Sequence, residues 1–129
     1  MSFVQILGLM FMISVAGATG MQRIPTGVWG GNHARLEVGP KSANIEYDCA
    51  HGVIEGPLEV DANGRFSLRG TVTPKRGGPV RSDEKPRSVP VTYFGFIKGE
   101  KMMLTVKLPD GDETFTLEKG REANLFKCK

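Results

Sequence analysis

The chain has 129 residues, a formal net charge of +3 at pH 7 from 17 basic and 14 acidic side chains, and two cysteines. That length is one domain with enough chain for a real core, yet small enough that a crosslink would matter. So small a net charge weighs against an electrostatic nucleic-acid binder.

The first charged side chain is Arg23, and before it an apolar run from Phe3 to Ala16 ends in the small residues Ala16-Gly17-Ala18. The run is short for a membrane span and has the length of a secretory h-region. Residues 1–20 are therefore predicted to be a cleaved signal peptide. An uncleaved anchor is the alternative, because the leader has no Lys or Arg ahead of its apolar run. Residues 21–129 are then expected to form a single secreted or periplasmic domain with no stable membrane span. An even cysteine pair in an exported chain predicts a disulfide between Cys49 and Cys128. Closing so long a loop is worth roughly 4 to 5 kcal/mol in the chain-entropy account.

From Thr26 onward, period-two alternation recurs and helical periodicity does not. A first strand is expected over Thr26–Asn32, and Leu36 in the stretch that follows is expected to face inward. In the next strand, Ile45, Tyr47 and Cys49 share one face while Asn44, Glu46 and Asp48 share the other, which directs Cys49 inward. Phe66, Leu68, Gly70 and Val72 alternate with Ser67, Arg69 and Thr71. Val91, Tyr93, Gly95 and Ile97 form a dry face whose opposite side carries Phe94 and Phe96, where other strands are polar. Those two phenylalanines are expected to lie under the C-terminal Leu125 and Phe126 or the N-terminal segment, or else to meet a partner. Met102, Leu104, Val106 and Leu108 make another dry face, and Phe115 with Leu117 the last. Between these runs fall turn residues, Gly39-Pro40-Lys41, Gly56-Pro57, Asn63-Gly64, Lys98-Gly99-Glu100, Asp110-Gly111 and Lys119-Gly120, which favour antiparallel hairpins. Eight or nine short strands with brief connections predict an all-β fold, a small antiparallel up-and-down β-barrel of about eight strands. One connection is long: residues 74–90 hold four of the eight prolines and five basic against two acidic residues, a +3 equal to the whole net charge. Proline and charge together predict a long basic loop there.

The stretch Thr26-Gly27-Val28-Trp29-Gly30-Gly31-Asn32 resembles the first strand of the lipocalin/avidin-like (calycin) small secreted β-barrels, through Gly27 and Trp29. The resemblance implies an eight-stranded barrel with Trp29 packed at its closed end and Arg121 placed to cover it. The single tryptophan argues against an avidin-type biotin pocket.

Among residues that carry chemistry, the two cysteines, His33, His51 and acids such as Asp48 could make a mixed zinc site, but in an oxidising compartment the two thiols form a bridge first, so no metal or cofactor is expected. A Cys49–His51 nucleophile would leave Cys128 unpaired, and no Gly-x-Ser-x-Gly is present for a serine hydrolase, so no catalytic residue is assigned. His33 is expected at a turn or strand edge, exposed to water. Gly30-Gly31 is expected to let a strand bend, since no helix follows to cradle phosphate. The expected function is binding of a small apolar or amphipathic ligand at the barrel interior or mouth, lined by Trp29, Leu36, Tyr47, Phe66, Tyr93, Met102, Leu104 and Phe115. The alternative is an interaction module, or an inhibitor of a secreted or envelope enzyme, acting through Lys75, Arg76, Arg81, Lys85 and Arg87 or through Phe94 and Phe96. The partner is thus a small molecule or a secreted or envelope protein, with no nucleic acid, because no aromatics interleave with the basic residues.

Overall fold

A computed structural model describes residues 21–74 and 87–126. These residues are all-β, in ten strands: β1 (Gln22–Arg23), β2 (Gly27–Gly31), β3 (Ala34–Val38), β4 (Ala43–Tyr47), β5 (Ala50–Ile54), β6 (Glu59–Val60), β7 (Arg65–Pro74), β8 (Val89–Lys98), β9 (Lys101–Leu108) and β10 (Gly111–Lys119). Eight of them close an antiparallel barrel in the order β10-β2-β3-β4-β5-β7-β8-β9, so chain neighbours are sheet neighbours throughout. The remaining two, β1 and β6, pair as a short ribbon. β1 precedes β2 and β6 lies in the connection from β5 to β7, which puts the ribbon at the end of the barrel where β2 begins. Leu58 and Val60 join the core there and Ile24 packs against it. The Ile24 amide donates to the Leu58 carbonyl at 2.9 Å, fixing the ribbon as a floor.

The alternation read in the sequence sets the barrel's inside. Leu36, Ile45, Tyr93, Met102, Leu104 and Leu117 are completely buried. Each large apolar side chain removed from water in this way contributes about 1.5–3 kcal/mol before conformational entropy is counted. An eight-stranded barrel has just enough interior to be filled by side chains, and the floor half of this one is filled.

Tyr93 is the largest of these buried residues, and two glycines make its place. A Cβ at Gly52 would lie 2.1 Å from the Tyr93 hydroxyl, and one at Gly70 would lie 2.6 Å from its ring. Gly52 on β5 and Gly70 on β7 thus leave the gap that the phenol fills. Its hydroxyl donates to the Thr71 carbonyl at 2.8 Å and receives the Tyr47 hydroxyl at 3.1 Å, so a large polar tip is buried with its bonds made.

Several sequence expectations shift. The strand containing Tyr47 stops there, and only Asp48 and Cys49 separate β4 from β5, so Cys49 is exposed at a turn rather than directed inward. The reason is local: Glu46 pairs with His51, which forces the chain to reverse between them. Pro74, Val89 and Pro90, expected in the basic loop, belong to strands, with Val72 opposite Val89 and Thr71 opposite Pro90. Residues 75–86 of that loop, the predicted signal peptide and Cys128 lie outside the described residues.

Gly52→Ala is expected to lower the unfolding free energy in urea by about 1–3 kcal/mol through overpacking. Part of that loss should vanish in a Tyr93→Phe background, where the obstructing hydroxyl is gone. An equal loss in both backgrounds would show that the hydroxyl is not the obstacle.

Candidate functional site

β2 is five residues long and β10 nine, and they pair only through Gly31–Leu117, Gly30–Glu118 and Trp29–Lys119. Residues 111–116 of β10 therefore stand above the seam without β2 beside them. The gap opens into a cleft of about 780 Å³ at the barrel end opposite the β1–β6 floor. The Asn32–His33 turn, the Asp48–Cys49 turn and the upper parts of β7, β9 and β10 surround it. Its apolar wall is Val72, Val106, Leu108 and Phe115, and the Phe115 ring packs against Tyr47 at a centroid distance of 5.3 Å.

The polar side of the cleft is unevenly charged. Asp48 and Glu113 bring carboxylates, His33 an imidazole and Arg121 a guanidinium. His33 Nδ1 lies 2.6 Å from Asp48 Oδ2, and Arg121 leans 3.9 Å from Glu118 Oε1. Glu113 shares its strand face with Phe115 and Leu117 and sits opposite Val106, which puts a carboxylate on the otherwise apolar inner face. No expected site residue included Glu113. Its signal was parity: counted back from the buried Leu117 in steps of two, it falls on the inside.

Burial pushes the Tyr47 hydroxyl well above the usual tyrosine range, with Tyr93 and the Glu113 carboxylate adding to the rise. Tyr93 is also raised, by burial. Both phenols are neutral hydrogen-bonding groups.

The chain after β10 turns back over the outside of β2. A Cβ at Gly30 would lie 2.1 Å from the Arg121 carbonyl, so this glycine admits the returning backbone rather than merely easing a bend. Asn124 then bridges Asn32, with its amide donating to Gly31 O and its carbonyl accepting from the His33 amide at 2.8 Å. Phe126 donates its amide to Asp48 Oδ1 at 2.8 Å and lays its ring 5.0 Å from the His33 ring. His33 is held at φ +71°, an uncommon backbone for a residue with a Cβ. The segment is a strap that reaches the rim of the cleft.

The expected ligand-lining residues divide accordingly. Tyr47 and Phe115 line the cleft, whereas Trp29, Leu36, Phe66, Tyr93, Met102 and Leu104 are buried in the core. The Trp29 indole N–H is buried without an acceptor among the described residues. Phe94 is half-buried and Phe96 is 45% exposed, beside Met21. The C-terminal cover expected for these two is a correction: Leu125 and Phe126 follow a strap that lies over β2, away from β8 in the sheet order. Of the basic residues, Arg87 is exposed, while Lys75, Arg76, Arg81 and Lys85 lie outside the described residues. His33 is exposed at its turn, as expected, and His51 is exposed on β5. Among the described residues no group of three or more His, Cys, Asp or Glu is gathered for a metal. No protein-family model, curated protein or solved structure matches the chain.

The Asp48 carboxyl feels a desolvation that raises its pKa, but the Phe126 amide and the His33 ring outweigh it and hold the group below the ordinary aspartate range. A folded-state pKa below the unfolded one adds stability above the unfolded value, and that stability is lost as pH falls through the folded value. The stability difference between the native chain and Asp48→Ala should therefore be complete at neutral pH and disappear in acid below the ordinary aspartate range. Urea melts across that interval check it, and a difference that persists unchanged in strong acid would contradict it.

Proposed function

We propose that the protein is an exported binding protein that holds a small apolar or amphipathic molecule in the cleft at the open end of its barrel, without catalysis. The observation that carries this reading is the cleft itself, about 780 Å³ with an aromatic pair and three aliphatic side chains beside a few polar groups. That size and lining suit a small-molecule site. The Gly27–Trp29 resemblance to lipocalin/avidin-like barrels points the same way. Export rests on the apolar leader in residues 1–20 and on the cysteine pair.

A Cys49–Cys128 bridge would complete the strap. Phe126 is tied to Asp48, the neighbour of Cys49, and Cys128 follows two residues later. Two residues reach at most about 7 Å, and a disulfide spans roughly 4.4–6.8 Å between Cα atoms, so the tie at Phe126 keeps the two cysteines within bridging range. A Cys49–Cys128 bond would fix the strap at the rim of the cleft and limit its opening.

A second reading has its own observation: Phe96 is 45% exposed among Met21, Phe66 and Phe94, an apolar surface suited to a secreted or envelope protein partner. The basic segment with Lys75, Arg76, Arg81, Lys85 and Arg87 would serve that role too.

Native mass spectrometry of protein recovered without reductant from an exporting host tests both parts. The expected spectrum is two hydrogens lighter than the dithiol and carries a retained small molecule. Phe115→Arg, at a half-buried cleft position, should remove that molecule while the barrel stays folded, and Phe96→Ser should leave it in place. Retention unaffected by Phe115→Arg would contradict the cleft reading. Two thiols free to alkylation would contradict the bridge.

A further inference from the structure

The polar groups at the cleft have fixed directions, and those directions restrict what can bind. The Thr71 carbonyl only accepts, so the single hydroxyl hydrogen of Tyr93 is committed to it. Tyr93 must then accept in its bond with Tyr47, which commits the hydrogen of Tyr47 as well. What Tyr47 has left is oxygen lone pairs. The hydroxyl at the base of the cleft is an acceptor.

Charge adds to this. Asp48 is engaged by His33 and by the Phe126 amide, and Arg121 by Glu118. Glu113 makes no ion pair among the described residues, and it lines the same cleft as Tyr47 from the inner face of β10, opposite Val106. The uncommitted polar atoms near the aromatic pair are thus a carboxylate and a phenol oxygen, both acceptors. The Tyr47 and Phe115 rings beside them favour a cation over an anion.

Resting on the reading of the cleft as a ligand site, we propose that it selects amphipathic molecules whose polar end is a cationic amine, set between Glu113 and Tyr47 with the apolar body against Phe115, Val106 and Leu108. A fatty-acid type carboxylate in that position would meet the Glu113 charge and a phenol oxygen with no hydrogen to give. A neutral hydroxyl would lose the ionic contact.

Three probes with the same apolar body separate these cases: tryptamine, tryptophol and indole-3-propionate, titrated calorimetrically into the full mature protein. The expected order is amine, then alcohol, then carboxylate, with the amine preferred over the carboxylate by about tenfold or more, the scale of one charge-assisted hydrogen bond. Glu113→Gln, at an exposed position where folding is not at stake, should erase most of that preference, and raised salt should shrink it. Tyr47→Phe should weaken the amine more than the carboxylate.

Equal or tighter binding of the carboxylate would overturn the proposal and leave the cleft reading standing. It would place selectivity with groups other than Glu113 and Tyr47. An amine preference untouched by Glu113→Gln would also overturn it. Binding of none of the probes at millimolar concentration would remove the cleft reading, and the amine proposal with it.

Discussion

The barrel closes through three residue pairs between β2 and β10, and the unequal length of those two strands decides what the open end looks like. Closure removes the free edges that an open meander would expose. Had β2 run as far as β10, the seam would have zipped to the rim and the inner faces of Glu113 and Phe115 would have met another wall of side chains. Because β2 turns at Asn32, the upper part of β10 instead faces the tips of two hairpins across a gap. The cleft is the consequence of a strand ending early.

Below that level the interior is solid. Tyr93 marks the change, with its ring in the space left by Gly52 and Gly70 and its hydroxyl turned toward Thr71 and Tyr47. A phenol suits this boundary because it presents apolar area to the core and one polar tip to the wetter side. Of the pair only Tyr47 reaches the cleft, and its hydrogen is spent on Tyr93 beneath it. Both phenol hydrogens are used up, so the same bonds that satisfy buried polar atoms leave the Tyr47 oxygen an acceptor at the base of the cleft.

The C-terminal strap belongs to the same end. It turns back where Gly30 leaves room for its backbone, bridges Asn32 through Asn124, and is tied to Asp48 at Phe126. His33 holds its positive φ in the middle of this arrangement, anchored through its amide to Asn124 and through its ring to Asp48 and Phe126. Two hairpin tips that would otherwise move independently are thereby joined at the rim of the cleft. The bonds are mostly exposed, which is why they depend on solvent conditions more than the core does.

Alternation by itself determined the all-β class, the inward residues of β4, β7, β8 and β9, and the antiparallel meander, because a strand's two faces are written in every second residue and its turns in glycine, proline, asparagine and aspartate. Parity likewise held Glu113 on the inside, two residues before Phe115 on the dry face already read for Phe115 and Leu117. Where strands end was less readable: Tyr47-Asp48-Cys49 continues the alternating pattern, yet pairing of Glu46 with His51 reverses the chain there and turns Cys49 outward. Only the tertiary structure decided that β2 stops short of β10, that two glycines on neighbouring strands accommodate one tyrosine, and that the tail crosses β2 rather than covering Phe94 and Phe96. Those features depend on registers between segments distant in sequence. No local pattern records such registers, because they are set by which whole arrangement of strands best fills and closes the barrel.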